Sequence, residues 1–392
     1  MDQTGFAPQG TSLWALARLF LRLGATSFGG PAVHIALMHT EVVQRRQWLS
    51  EQQFLDLLSA TNLIPGPNST EMALHIGWQR RGIGGLLVAG LSFIVPAMLI
   101  TGALAMVYVR FGEIPSVSWL LYGVKPVMLS VVLQAIWSLA PKAAPTTLLR
   151  LLALVAVVVA LLGVHELLIL LGTGVVAVFL SRFRGRDSHP AAGVLFPTLP
   201  LIPLGTIVSH SAVSVPSLFW VFLKTGSVLY GSGYVLLAFL RADLVHRLGW
   251  LTESQLMDAI AVGQVTPGPV FTTATFIGYL LAGPTGALLA TLGIFLPAFV
   301  LVALSGPLVP RLRAIPFVSA LLQGVNVASW ALMVVVTLQL GRASLCDVPA
   351  LLLFGMSALL LMWRRINATW LVVGGALLGW LVHVCGLSRC GS

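Results

Sequence analysis

Three cations stand where cations are costly. Arg22 and Lys224 each interrupt a long apolar run, and Lys125 lies in the middle of a third. A charge at bilayer depth costs about 2.5–3.5 kcal/mol on insertion scales, so it is kept there for a partner or a pathway. Two chemistries are open to Arg22 and Lys224: attraction of an anion, or pairing with a carboxylate such as Glu71. Arg18, one turn before Arg22, is expected to snorkel to the interface instead.

Beside these cations the chain breaks its own helices. Phe28-Gly29-Gly30-Pro31 interrupts one apolar segment and Tyr230-Gly231-Ser232-Gly233 another. Pro65-Gly66-Pro67 and Pro267-Gly268-Pro269 interrupt two shorter, more polar stretches. Proline removes an amide donor and clashes with the preceding turn, while glycine lets the backbone swing open. Within a bilayer such backbone survives only inside protein or along a wet cavity. After the first Pro-Gly-Pro the chain restarts at Asn68-Ser69-Thr70-Glu71, and after the second at Phe271-Thr272-Thr273-Ala274. Hydroxyl and amide side chains suit a helix N-terminus, whose free amides and dipole attract anions. The four breaks, with Arg22, Lys125 and Lys224, therefore form the candidate substrate-binding set.

Proton-handling candidates are few. Glu71 follows the first Pro-Gly-Pro and has no acidic counterpart after the second, so it is either a proton carrier or a charge at a helix N-terminus. His34, His75 and His383 could shuttle protons, although a lone histidine on an apolar face is more often structural. Ser50 and Thr252, each followed three residues later by glutamine, predict capping boxes that begin helices. Three cysteines (Cys346, Cys385, Cys390) lack metal-ligand spacing, no enzyme motif is present, and neither a cofactor nor a metal is expected.

The elements that position these residues follow from composition. The chain has 392 residues, 57% hydrophobic and only 9% charged, with a mean hydropathy of +0.95. A soluble domain carries about 25% charged residues; this chain needs lipid as its solvent. The net charge of +10 sits in short clusters between apolar runs, as on cytoplasmic loops, which speaks against a nucleic-acid partner. Segments of about 20 apolar residues span a bilayer. They are expected near 13–37, 84–109, 117–139, 148–164 and 166–181, and again near 214–238, 285–304, 317–339, 349–363 and 367–385.

The two sets are copies. A shift of 202 residues carries Pro65-Gly66-Pro67 onto Pro267-Gly268-Pro269, Arg22 onto Lys224, Glu41 onto Asp243, Trp48 onto Trp250 and Asp56 onto Asp258. After a one-residue deletion, 201 carries Pro96 onto Pro297 and Gly123 onto Gly324. If 51–80 and 253–282 dip in and return, each copy has five spans and the second enters the membrane inverted; if they cross fully, each copy has six and the copies lie parallel, which the basic clusters disfavour. The fold expected is an all-α polytopic membrane protein of about ten transmembrane helices. It comprises two inverted repeats, 1–182 and 212–392, each with broken or re-entrant helices, joined by a cytoplasmic linker over 183–211.

The runs Ser27-Phe-Gly-Gly-Pro-Ala-Val-His34, Gln47-Trp-Leu-Ser-Glu51 and Leu63-Ile-Pro-Gly-Pro-Asn-Ser-Thr70 closely resemble the signature of the chromate transporter family. Leu223-Lys-Thr-Gly226, Tyr230-Gly-Ser-Gly-Tyr234 and Val265-Thr-Pro-Gly-Pro269 resemble its C-terminal version, so the likeness covers the chain in the long, two-domain form. The resemblance implies export of chromate across the bacterial inner membrane, driven by the proton motive force and conferring chromate resistance. Chromate or a related oxyanion, protons and the bilayer are the partners it implies, with a homodimer left open. Ala32-Val33 replaces a polar position of the family, which bears on substrate choice because related members are linked to sulfate. The alternatives are a sulfate or other oxyanion carrier and, from another class, an intramembrane enzyme acting on lipid.

Overall fold

A computed structural model describes residues 11–28, 30–61, 64–111, 115–184, 213–229, 235–305, 316–345, 347–364 and 368–385. The first repeat contributes α1 (Leu13–Thr26), α2 (Pro31–His39) with a π-helical extension (Thr40–Arg45), α3 (Glu51–Thr61), α4 (Asn68–Phe111), α5 (Pro115–Ala143), α6 (Thr147–Leu161) and α7 (Glu166–Arg184). The second contributes α8 (Val215–Val228), α9 (Leu236–Leu240) with its own π-helical extension (Arg241–Arg247), α10 (Glu253–Val265) and α11 (Thr273–Ser305), entered through a 3-10 turn (Val270–Thr272). It ends with α12 (Pro316–Ser344), α13 (Val348–Arg364) and α14 (Ala368–Val384). Among the described residues four helices are long and apolar enough to cross a membrane, and four shorter ones are apolar. Apolar side chains such as Trp14, Leu154, Phe179, Trp363 and Trp370 point outward, as lipid demands. The protein is an all-α, multi-pass membrane protein built of repeated halves. Residues 185–212, which hold nearly all of the expected linker, lie outside the described residues.

Local sequence starts and bends these helices at matching places. Ser12 and Ser214 cap α1 and α8, accepting from the amides of Ala15 and Ser217. The expected capping boxes form: Ser50 and Gln53 bond reciprocally at 2.9 and 3.2 Å, as do Thr252 and Gln255. α4 and α11 each fold sharply at Arg81-Gly82 and Ala282-Gly283, where Gly82 (φ 56°) and Gly283 (φ 61°) occupy a left-handed conformation that only glycine adopts cheaply. Past the fold, a Cβ on Gly77 would run into the Gly85 carbonyl, so the two arms of α4 lie antiparallel. Segment 68–81 is about 21 Å long at 1.5 Å per residue and α3 shorter still, less than the roughly 30 Å of hydrocarbon. Segment 51–80 is therefore a pair of helical pieces, each too short to cross alone.

The first apolar segment departs from the single span expected over 13–37. Arg80 donates to the Thr11 hydroxyl at 2.9 Å and to the Trp48 carbonyl at 2.9 Å, and Arg81 to the Thr11 carbonyl at 2.6 Å. The residues before α1 and after the π-helical extension thus meet on one face. Segment 13–45 is a helical hairpin, α1 returning through α2 and its extension. A ring of polar contacts at its base outweighs the apolar composition that made it look like one crossing.

The halves interlock head to tail. Leu86 on α4 packs with Ala298 and Val302 on α11, while Gly90 lies against Phe299, so the long arms run antiparallel. Equivalent helices packed antiparallel are related by an axis perpendicular to them, in the membrane plane. This pairing establishes the inversion, independently of any count of crossings. The last helices cross over: Trp119 on α5 stacks on His383 of α14 at 4.4 Å, and Gly324 on α12 lies against Thr173 and Ala177 of α7. Each repeat therefore completes the other's core.

Candidate functional site

At the centre, each Pro-Gly-Pro turn meets the broken first hairpin of the opposite repeat. The Gly66 amide donates to the Leu229 carbonyl at 2.8 Å, and the Gly268 amide donates to the Ser27 carbonyl at 2.9 Å. Ser27 and Leu229 are repeat mates, each just past the end of its helix (α1 and α8), where carbonyls lose their intrahelical partners. The turns are packed tightly. A Cβ on Gly268 (φ 87°) would stand 2.6 Å from Ala97 Cβ and 2.8 Å from the Gly24 carbonyl, and one on Gly66 (φ 145°) would strike the Glu71 carboxylate. Pro65 and Pro67, with Pro267 and Pro269, fix the approaches to these glycines.

Four helix starts surround this junction. Gly30 (φ 81°) precedes α2, which begins at Pro31 with no side-chain cap. Asn68 and Ser69 open α4, with Ser69 buried. The 3-10 turn opens α11, and α9 begins at Leu236. Amides in a first helical turn lack intrahelical acceptors and carry partial positive charge, which suits an anion. Gly29, Gly231, Ser232 and Gly233 lie outside the described residues.

Glu71 borders the Gly66 turn and His34 the Ser27 carbonyl. Glu71 is fully buried in the first turn of α4, and neither carboxylate oxygen has a hydrogen-bond partner among the described residues. One turn on, buried His75 leaves Nε2 without a partner. The His34 Nε2 lies 3.0 Å from the Ser27 carbonyl and its ring stands edge-on to Phe93 at 5.6 Å. His34 thus shares the acceptor that the Gly268 amide uses.

The cations are paired, but not with Glu71. Arg22 reaches Glu41 at 2.8 Å, and Arg45 and Arg46 join the same carboxylate at 2.8 and 3.3 Å. In the second repeat Lys224 and Arg247 hold Asp243 at 3.0 and 2.8 Å. The carboxylates are buried while Arg22 remains half-exposed. These clusters brace the two arms of each first hairpin, and Gly24, two residues beyond Arg22, borders the Gly268 turn. Lys125 sits apart, 3.5 Å from Asp258 and donating to Ser254 at 2.7 Å. The sequence carried a signal for the Glu41 and Asp243 clusters, since one shift relates Arg22, Glu41 and Arg45 to Lys224, Asp243 and Arg247. Acidic residues retained along with their cations are partners. Asp258 gave no such signal, because the mate of Lys125 is Asn326 and no cation is retained with the acid.

Among the described residues no three His, Cys, Asp or Glu side chains gather as a metal site would. The chromate transporter family model matches the chain twice, over residues 14–178 and 216–380, and both ends of the second match lie one repeat shift beyond those of the first. A probable chromate transport protein of Synechococcus elongatus is 32% identical over 90% of this chain and 90% of its own length. A chromate transport protein of Cupriavidus metallidurans is 31% identical over 95% of this chain and 94% of its own, and one of Pseudomonas aeruginosa is 30% identical over 93% and 91%. No solved structure matches the chain. With paired helix breaks in inverted halves and a family match over both of them, the chain belongs to the chromate transporter family.

Proposed function

We propose that this protein exports chromate, or an oxyanion of the same shape, across the bacterial inner membrane in exchange for protons. The observation that carries the reading is the reciprocal junction of Gly66 with Leu229 and Gly268 with Ser27. It gathers broken helix ends from both repeats, and inverted-repeat transporters hold their substrates among such ends. Chromate is a tetrahedral dianion. First-turn amides of α2, α4, α9 and α11 would supply donors, and Arg22, Lys224 and Lys125 a positive field that draws the anion in. Arg45, Arg46, Arg80 and Arg81 gather on the face where Thr11 and Trp48 meet, which the positive-inside rule assigns to the cytoplasm.

Transport follows by rocking one repeat against the other, the antiparallel arms of α4 and α11 serving as the axis. Glu71 is the proton carrier of this scheme. Buried carboxylates without a fixed partner mark proton pathways in membranes, and taking a proton at this turn removes a negative charge from the anion's neighbourhood. Competing oxyanions such as sulfate meet the same amides, which distinguish tetrahedral dianions only by size and hydration. The test is chromate uptake into everted membrane vesicles, with and without a protonophore and with sulfate as competitor. Accumulation that collapses with the protonophore supports the proposal. Accumulation of sulfate but not chromate reassigns the substrate, and no accumulation of either removes the transport reading.

A further inference from the structure

One cluster occurs once in a molecule where almost everything else occurs twice. Asp258, buried on α10 of the second repeat, is held by two side chains of the first. Tyr108 on α4 donates its hydroxyl to Oδ2 at 2.9 Å, and Lys125 Nζ on α5 lies 3.5 Å from Oδ1. Lys125 also donates to Ser254, one turn earlier on α10, at 2.7 Å, and the Tyr108 ring stands edge-on to Phe276 at 5.2 Å. The repeat mates break the pattern. Val309 replaces Tyr108, Asn326 replaces Lys125, Gln52 replaces Ser254, and Asp56 is exposed with Gln52 donating to it at 3.2 Å.

The position gives the asymmetry a consequence. Tyr108 lies three residues from the end of α4 and Asp258 one turn into α10, so the cluster sits toward the face opposite Thr11 and Arg80. It fastens the α10 hairpin to the first repeat on that side. In inverted repeats the two access states exchange the roles of the halves, so a fastening present on one face alone favours the state that closes that face. We propose that Asp258 is a positioning residue for transport, acting through Tyr108 and Lys125 as a latch that closes the pathway on the face opposite Arg80. The inference rests on alternating movement of the halves, but its test needs no substrate.

Gln264 lines a small cavity between α5 and the hairpin, with Val132 and Ile260. A Gln264→Cys reporter, in protein whose Cys346, Cys385 and Cys390 are replaced by serine, can be labelled with a membrane-impermeant thiol reagent in vesicles of either orientation. Tyr108→Phe removes one hydroxyl and keeps the ring, so it tests the latch even where Asp258→Asn fails to accumulate. We expect Tyr108→Phe to speed labelling several-fold and Asp258→Asn roughly tenfold, from the face opposite Arg80 only. The double variant should add nothing beyond Asp258→Asn, because both changes open one latch. Unchanged labelling in both variants, equal acceleration from both faces, or additive effects would each overturn the proposal. Altered labelling without chromate uptake in the parent protein would instead leave the latch standing and remove only the substrate.

Discussion

The two Pro-Gly-Pro neighbourhoods share a backbone and differ in what their side chains leave unspent. Around the second turn the hydroxyls are satisfied: Thr266, Thr272 and Thr273 donate to nearby carbonyls at 3.2, 2.9 and 2.8 Å. Around the first, Thr70 Oγ1, both Glu71 oxygens and His75 Nε2 are buried without hydrogen-bond partners among the described residues. Buried polar groups are ordinarily bonded, and unmet ones are costly. Duplication supplied both turns with the same reciprocal amide contacts, so this polarity is a difference between them. Features held in common, such as the glycine folds, reciprocal amides and ion clusters, build the frame. Features confined to one side, Glu71 above all, are where the proposed function puts direction and coupling.

The largest effect should come from the shared frame. Gly268→Ala forces a side chain into a left-handed conformation against Ala97 and the Gly24 carbonyl. We expect a loss of about 2–5 kcal/mol in stability and no measurable uptake, read by thermal unfolding in detergent and by vesicle transport. Gly82→Ala is the control. It has the same sign of φ but open space around it, so it should cost only about 1–3 kcal/mol.

Next in size is the contrast between the turns themselves. Glu71→Gln should slow pH-driven transport by about tenfold or more and leave the remainder insensitive to a protonophore. Thr273→Val, at the matching place, should change the rate little. Equal losses in the two variants would erase the functional distinction between the turns.

Cation removal should give smaller, unequal changes in stability. Lys224→Gln leaves Asp243 with Arg247, whereas Arg22→Gln leaves Glu41 with both Arg45 and Arg46. Arg22→Gln should therefore cost under about 1 kcal/mol and Lys224→Gln somewhat more. Both should insert normally and lose export if the cations steer the anion; normal export by both would remove them from the site. The smallest effect concerns a pair of clamps. His39 bonds Glu51 at 2.7 Å where the second repeat pairs Arg241 with Glu253 at 2.6 Å. His39→Arg makes the clamps alike and should shift stability by no more than about 0.5 kcal/mol.

Much of this was legible in the residues. Repeat shifts, capping boxes and the helix breaks at both Pro-Gly-Pro turns follow from glycine, proline and charge at fixed spacing. The hairpin over 13–45 was not. Its break at Gly30-Pro31 was visible, but whether the chain continued or turned back depends on Thr11 and Trp48 meeting Arg80, a contact with no local signature. Asp258 was hidden for a different reason. Its spacing matched that of exposed Asp56, and only packing against Tyr108 and Lys125 distinguishes the two.

The central claim is that an oxyanion rests between reciprocal turns. A structure determined with chromate, with chromium located by its anomalous scattering, tests this most directly. One peak is expected between the Gly66–Leu229 and Gly268–Ser27 contacts, within reach of the first-turn amides of α2 and α4. A peak confined to the surface clusters around Arg45 or Arg247, with nothing at the junction, would contradict it.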